Sequence, residues 1–187
     1  MTDPVEPEAE RPLAQPGPFL AVTGIGVLAV LGLVLSLFRD PGLPAHIAES
    51  YMRVAGGLVT PDRRMHDAPA LATALADAAP GQVRVPSLEA SGFRLDGGGH
   101  LSLGGQPAAF AIYHNAQREL VVWHAVTADV TTLPATPDVR DDQGRRYFLH
   151  HKATTIIATW QEGPRVAAIT STLPADQVMA LAKDAAR

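Results

Sequence analysis

Ala108–Thr127, AAFAIYHNAQRELVVWHAVT, reads as a β-hairpin. Ala108 to Tyr113 and Glu119 to Thr127 are rich in branched and aromatic residues, and they flank the polar stretch His114-Asn115-Ala116-Gln117-Arg118. Upstream the same grammar continues, with Phe93-Arg94-Leu95, then Asp96-Gly97-Gly98-Gly99, then Leu101-Ser102-Leu103 and Gly104-Gly105. These segments predict strand, turn, strand, turn. Downstream, the Pro-, Thr- and Asp-rich stretch from Thr131 to Gly144 predicts a surface loop, after which strands resume. Thr154 to Trp160 and Arg165 to Thr172, joined by Gln161-Glu162-Gly163-Pro164, predict another hairpin.

Helices are predicted on either side of the strands. Leu43 to Gly56 carries Ile47, Tyr51, Val54 and Ala55 at three- and four-residue spacings, and Gly56-Gly57 ends it. A second helix runs from about Ala68 to Ala79, with Asp67 as its cap and Pro69 in its first turn, and Pro80-Gly81 closes it. The last runs from about Pro174 to Ala186, with Thr172 as its cap and Val178, Leu181 and Ala182 facing inward. The fold class is α+β: an antiparallel sheet built from hairpins, with short helices before it and a helix after it.

Ahead of this domain, Phe19 to Phe38 (FLAVTGIGVLAVLGLVLSLF) has no ionisable side chain, and no charge occurs between Arg11 and Arg39. Twenty helical residues extend about 30 Å, the thickness of a bilayer's hydrocarbon core. The preceding segment is acidic rather than basic, and Leu43-Pro44-Ala45 makes a poor cleavage site, so the run reads as an uncleaved single-pass transmembrane anchor rather than a signal peptide. Charge does not orient it, because Arg11 stands on one side and Arg39 and Arg53 on the other.

The expected organisation is therefore a disordered, acidic, Pro-rich arm over 1–18, a transmembrane helix over 19–38 and one folded domain over 39–187. Of 15 basic and 19 acidic side chains the arm holds one and four, which leaves the domain a formal charge of −1. That balance argues against direct nucleic-acid binding. With no cysteine, disulfides, thiol catalysis and thiolate metal sites are excluded.

Short phrases within the domain carry a resemblance. Leu88-Glu89-Ala90-Ser91-Gly92-Phe93-Arg94-Leu95-Asp96-Gly97-Gly98-Gly99-His100-Leu101 fits the run hydrophobic-x-x-x-G-F-x-L-x-G-G-x-x-L, followed by Gly105-Gln106-Pro107-Ala108-Ala109. Ile156-Ile157-Ala158-Thr159-Trp160-Gln161-Glu162-Gly163-Pro164-Arg165 and Ile169 to Leu173 follow before the terminal helix. Over roughly 44–186 the chain resembles the extracytoplasmic sensor domain of bacterial transmembrane anti-sigma factors. The matching positions are mostly glycine, apolar and aromatic, residue types that specify a fold more than an activity.

The resemblance implies an inner-membrane protein with its N-terminus cytoplasmic and its domain in the periplasm. It also implies a partner, an extracytoplasmic-function sigma factor, and a role in transcription regulation by signal sensing. Two elements of that family lack a counterpart here: a Lys-Pro-Trp-Phe element, absent around His66 to Leu71, and the cytoplasmic zinc-type sigma-binding domain.

Candidate chemistry is sparse. Seven histidines invite a metal, but His114 and His124 fall on adjoining strands and His150-His151 on opposite faces of one strand, so local geometry gathers no three of them. Trp123 and Trp160 read as core residues, and Asp141-Asp142 beside Arg145-Arg146 as a solvated turn. No nucleophile elbow, zinc-protease helix or phosphate loop is present, and Asp96-Gly97-Gly98-Gly99 lacks the following helix that a nucleotide cradle needs. Gly32 and Ser36 in the anchor form a small-xxx-small pair through which two copies could dimerise.

The expectation is a membrane-anchored regulatory binding protein rather than an enzyme, with no catalytic, cofactor or metal residues. The alternative is a membrane-tethered metal- or lipid-binding accessory or assembly protein unrelated to transcription.

Overall fold

The computed structural model describes residues 42–76, 83–136 and 138–187. The proposed arm and anchor, with the dimerisation pair Gly32 and Ser36, lie outside the described residues, as does the end of the second predicted helix. Among the described residues no helix is long and apolar enough to cross a membrane.

Seven antiparallel strands form a single sheet: β1 (Arg94–Leu103), β2 (Gln106–His114), β3 (Leu120–Val126), β4 (Asp138–Asp142), β5 (Arg145–Lys152), β6 (Thr155–Glu162) and β7 (Arg165–Ser171). Their spatial order is β1-β2-β3-β7-β6-β5-β4, so two meanders meet where β3 pairs with β7. Helices α1 (Leu43–Ala55), α2 (Ala68–Leu75) and α3 (Ala175–Ala185) complete the domain.

Both faces of the sheet are covered, which explains why its central strands read as near-continuous apolar runs and not as strict alternation. On one face Ile47, Tyr51 and Val54 of α1 pack on Phe110, Ile112, Val122, Val126 and Ala168. On the other, Val178, Leu181 and Ala182 of α3 and Leu71 and Leu75 of α2 pack on Trp123, Trp160, Leu149 and Ile169. Trp123 and Trp160 are both core residues, the latter in a tilted contact with Tyr147 at 5.9 Å between ring centroids.

The α+β class, the two predicted hairpins and the boundaries of α1 hold. Three expectations are corrected. First, Asp96-Gly97-Gly98-Gly99 is no turn: β1 runs unbroken from Arg94 to Leu103, with a bulge at Asp96 where the register to β2 shifts between Leu95 and Gly97. Glycine serves close approach here. A chain segment around Arg63 lies on the edge of β1 and exchanges two backbone hydrogen bonds with Gly98, of 3.1 and 3.0 Å. A Cβ on Gly97 would overlap the carbonyl oxygen of Arg63, and one on Gly98 the carbonyl oxygen of Phe110.

Second, the segment read as a loop from Thr131 to Gly144 contains the edge strand β4. Its sequence, Asp138-Val139-Arg140-Asp141-Asp142, hides the strand because an edge is protected by charge. Asp141, Asp142, Arg145 and Arg146 therefore flank the tight turn at Gln143-Gly144 instead of forming it. Third, Thr172 does not cap α3. Pro174 holds the N-cap position without a side-chain bond, and Thr172 Oγ1 instead accepts a long 3.5 Å bond from the Tyr51 hydroxyl of α1. Asp67 does cap α2, accepting from Ala70 N at 2.8 Å.

Candidate ligand-binding groove

Where the ends of β1, β2 and β3 meet the C-terminal turn of α1, the surface opens into a groove of about 810 Å³. Tyr51 and Val54 of α1 and Ile112 of β2 supply apolar lining; Arg64, Arg118 and His66 supply polar lining. A second hollow of about 1000 Å³ adjoins it, and the two share His66, Asp96 and His114.

Local structure aims each of these groups. Asp96 is the bulged residue of β1, and a bulge turns its side chain out of the regular alternation. Its carboxylate meets His114 Nδ1 at 2.5 Å, at the last residue of β2. A carboxylate only accepts, so His114 donates from Nδ1. His66 donates from Nδ1 to the Leu95 carbonyl at 2.7 Å by the same reasoning.

The β2–β3 turn is organised by Asn115, whose Oδ1 accepts from Gln117 N at 3.0 Å and Glu119 N at 2.8 Å and whose Nδ2 donates to Glu119 Oε2 at 2.5 Å. Closing this loop forces Arg118 into the left-handed region at φ 63°. Such a backbone ordinarily falls to glycine or asparagine, and holding an arginine there costs about 1–2 kcal/mol.

At the β4–β5 edge three cations are paired: Arg140 with Asp138 at 3.1 Å and Asp176 at 2.6 Å, Arg146 with Asp141 at 3.4 Å, and Lys183 with Asp142 at 3.0 Å. The Arg140 guanidinium holds the Asp138 carboxyl below its ordinary range. At the groove, both carboxylates are engaged elsewhere, Asp96 by His114 and Glu119 by Asn115, and neither is within ion-pair distance of Arg64 or Arg118.

The histidines singled out in the sequence separate. His114 is in the groove; His124 is sealed beneath α1, with Nε2 3.0 Å from Ser50 Oγ. Burial lowers the His124 pKa to about 3, so the ring is neutral. His150 is buried and His151 exposed, on opposite faces of β5 as their adjacency requires; burial, with Lys152 and His151 nearby, also lowers the His150 pKa. Among the described residues no three histidine or carboxylate side chains converge as a metal-binding group. The Ser50–His124 pair has the atoms of a nucleophile and base, yet both residues are buried.

The sequence does not reveal the Asp96–His114 pair and the groove around it, because Asp96 beside three glycines reads as a turn residue. Register was the usable signal: a β2 of nine residues needs a β1 of similar length, which runs straight through the glycines. In comparisons with known proteins, no family model, no curated protein and no solved structure matches this chain.

Proposed function

We propose that this chain is a single-pass membrane regulatory protein, similar to a transmembrane anti-sigma factor, whose α+β domain lies outside the cytoplasm and binds a signal in the groove of Tyr51, His114 and Arg118. The supporting observation is the position of α1. It begins at Leu43, four residues of sequence after the apolar run ends at Phe38, and its Tyr51 and Val54 form a wall of the groove. An occupant of the groove thus touches the helix nearest in sequence to the anchor.

Coupling requires two states of α1 with different affinities for the occupant. The hydrogen bonds to α1 suit such an element: Ser50–His124 is a neutral pair, and Tyr51–Thr172 is at the limit of bonding distance. Neutral pairs contribute only about 1 kcal/mol each.

The resemblance phrases fall on the frame of the domain. Gly92 to Leu101 covers the start and bulge of β1, and Ile156 to Arg165 covers β6 and its turn into β7. The test is a bacterial two-hybrid assay between the full chain and each extracytoplasmic-function sigma factor of its host. The reading predicts an interaction that is lost when residues 1–18 are deleted. Failure of the intact chain to engage any sigma factor removes the transcriptional role.

A further inference from the structure

We propose that the groove is a carboxylate site, taking an organic acid whose charged end meets Arg118 and Arg64 and whose apolar portion rests on Tyr51 and Val54. This deepens the ligand-binding part of the reading above and rests on it.

Two independent observations carry the inference. The first is that two arginines without an ion-pair partner line the same groove. Five cations at the other end of the sheet, Arg140, Arg145, Arg146, Lys183 and Arg187, each reach a carboxylate or carbonyl oxygen. Among the described residues Arg64 and Arg118, lining one groove, reach none, and the nearby Asp96 and Glu119 are engaged by His114 and Asn115. A guanidinium matches a planar carboxylate with two parallel hydrogen bonds, so two unengaged forks in one cavity constitute a complementary surface. The second is the backbone of Arg118. The loop needs a left-handed residue there, and glycine would satisfy it without strain; an arginine at φ 63° is held at a stability cost, in a residue that lines the cavity.

Both polarities of the ligand are addressed. The lining is mixed, with Tyr51, Val54 and Ile112 alongside the charged groups, which favours an acid with an apolar body over a bare ion. A free acid and a peptide's C-terminus present the same carboxylate atoms to the arginines.

Isothermal titration of the full chain in lipid nanodiscs tests this with three probes: 3-phenylpropionate, acetyl-Gly-Phe with a free carboxylate, and acetyl-Gly-Phe amide. The expected result is saturable binding of at least one carboxylate, with the amide about tenfold weaker or more relative to the acid peptide if the peptide binds. Binding of only the free acid, or only of the acid peptide, supports the site and identifies its source.

Arg118→Gly is the discriminating variant, since it removes the guanidinium and relieves the backbone. It should weaken the carboxylate about tenfold while the thermal midpoint stays level or rises. Equal affinity for acid and amide, unchanged affinity in Arg118→Gly, or no binding of any probe overturns the proposal. The sigma-factor interaction is scored separately in the two-hybrid assay, so failure here and failure of the regulatory reading are told apart.

Discussion

Ser50 of α1 and His124 of β3 meet at 3.0 Å across the interface between helix and sheet, with His124 fully buried and its Nδ1 without a hydrogen-bond partner among the described residues. The neutral ring fits this place; a protonated one does not. The His124 pKa falls from 6.5 to about 3 on burial, so the unfolded chain binds the proton more tightly. Stability is therefore complete above about pH 6.5 and is lost progressively toward pH 3, at about 1.4 kcal/mol per unit. Urea denaturation at pH 7.5 and 5.0 should show a loss of about 2 kcal/mol from this residue. His124→Leu should reduce that loss without abolishing it, because the pKa of His150 is lowered in the same direction.

Gly97 and Gly105 both have positive φ, but only Gly97 lies against another chain segment, the strand-edge segment at Arg63. Gly105→Ala should cost about 1 kcal/mol for its backbone alone. Gly97→Ala must also displace the Arg63 carbonyl and should cost about 3 kcal/mol. The difference is read from urea midpoints, and equal costs would mean that the segment is not seated on β1.

The fold was legible where one physical signal dominated. Ala108–Thr127 showed its hairpin because apolar runs and a polar turn agree, and Leu43–Ala55 showed its helix through the spacing of Ile47, Tyr51 and Val54. Reading failed where a residue served two ends. Gly97 and Gly99, which let a segment approach β1, mimic a turn with Gly98 between them, and the charges that protect β4 mimic a loop. The groove was hidden for a different reason: Asp96 and His114 are 18 residues apart and meet only through the bulge and the strand register.

Asp141 and Arg146 form an exposed cross-strand pair at 3.4 Å. Exposed pairs contribute between zero and about 1 kcal/mol. Asp141→Asn should shift stability by less than about 0.5 kcal/mol and leave ligand binding in the groove unchanged, as measured by denaturation and titration.

Asp67 accepts the Ala70 amide at the start of α2, and Leu71 and Leu75 of that helix enter the core. Asp67→Ala should cost about 1 kcal/mol, and Leu71→Ala about 3 kcal/mol. The ordering, measured by chemical denaturation, follows from a surface cap against a filled core position.

Topology is the point on which the functional proposal turns. Epitope-tagged full chain, expressed in its host, can be followed through alkaline carbonate extraction and then through protease treatment of intact spheroplasts. The account predicts a chain that stays in the membrane pellet at full length and whose C-terminal domain is digested from outside. A soluble mature chain lacking Phe19 to Phe38, or a C-terminal domain that becomes digestible only after lysis, would contradict it.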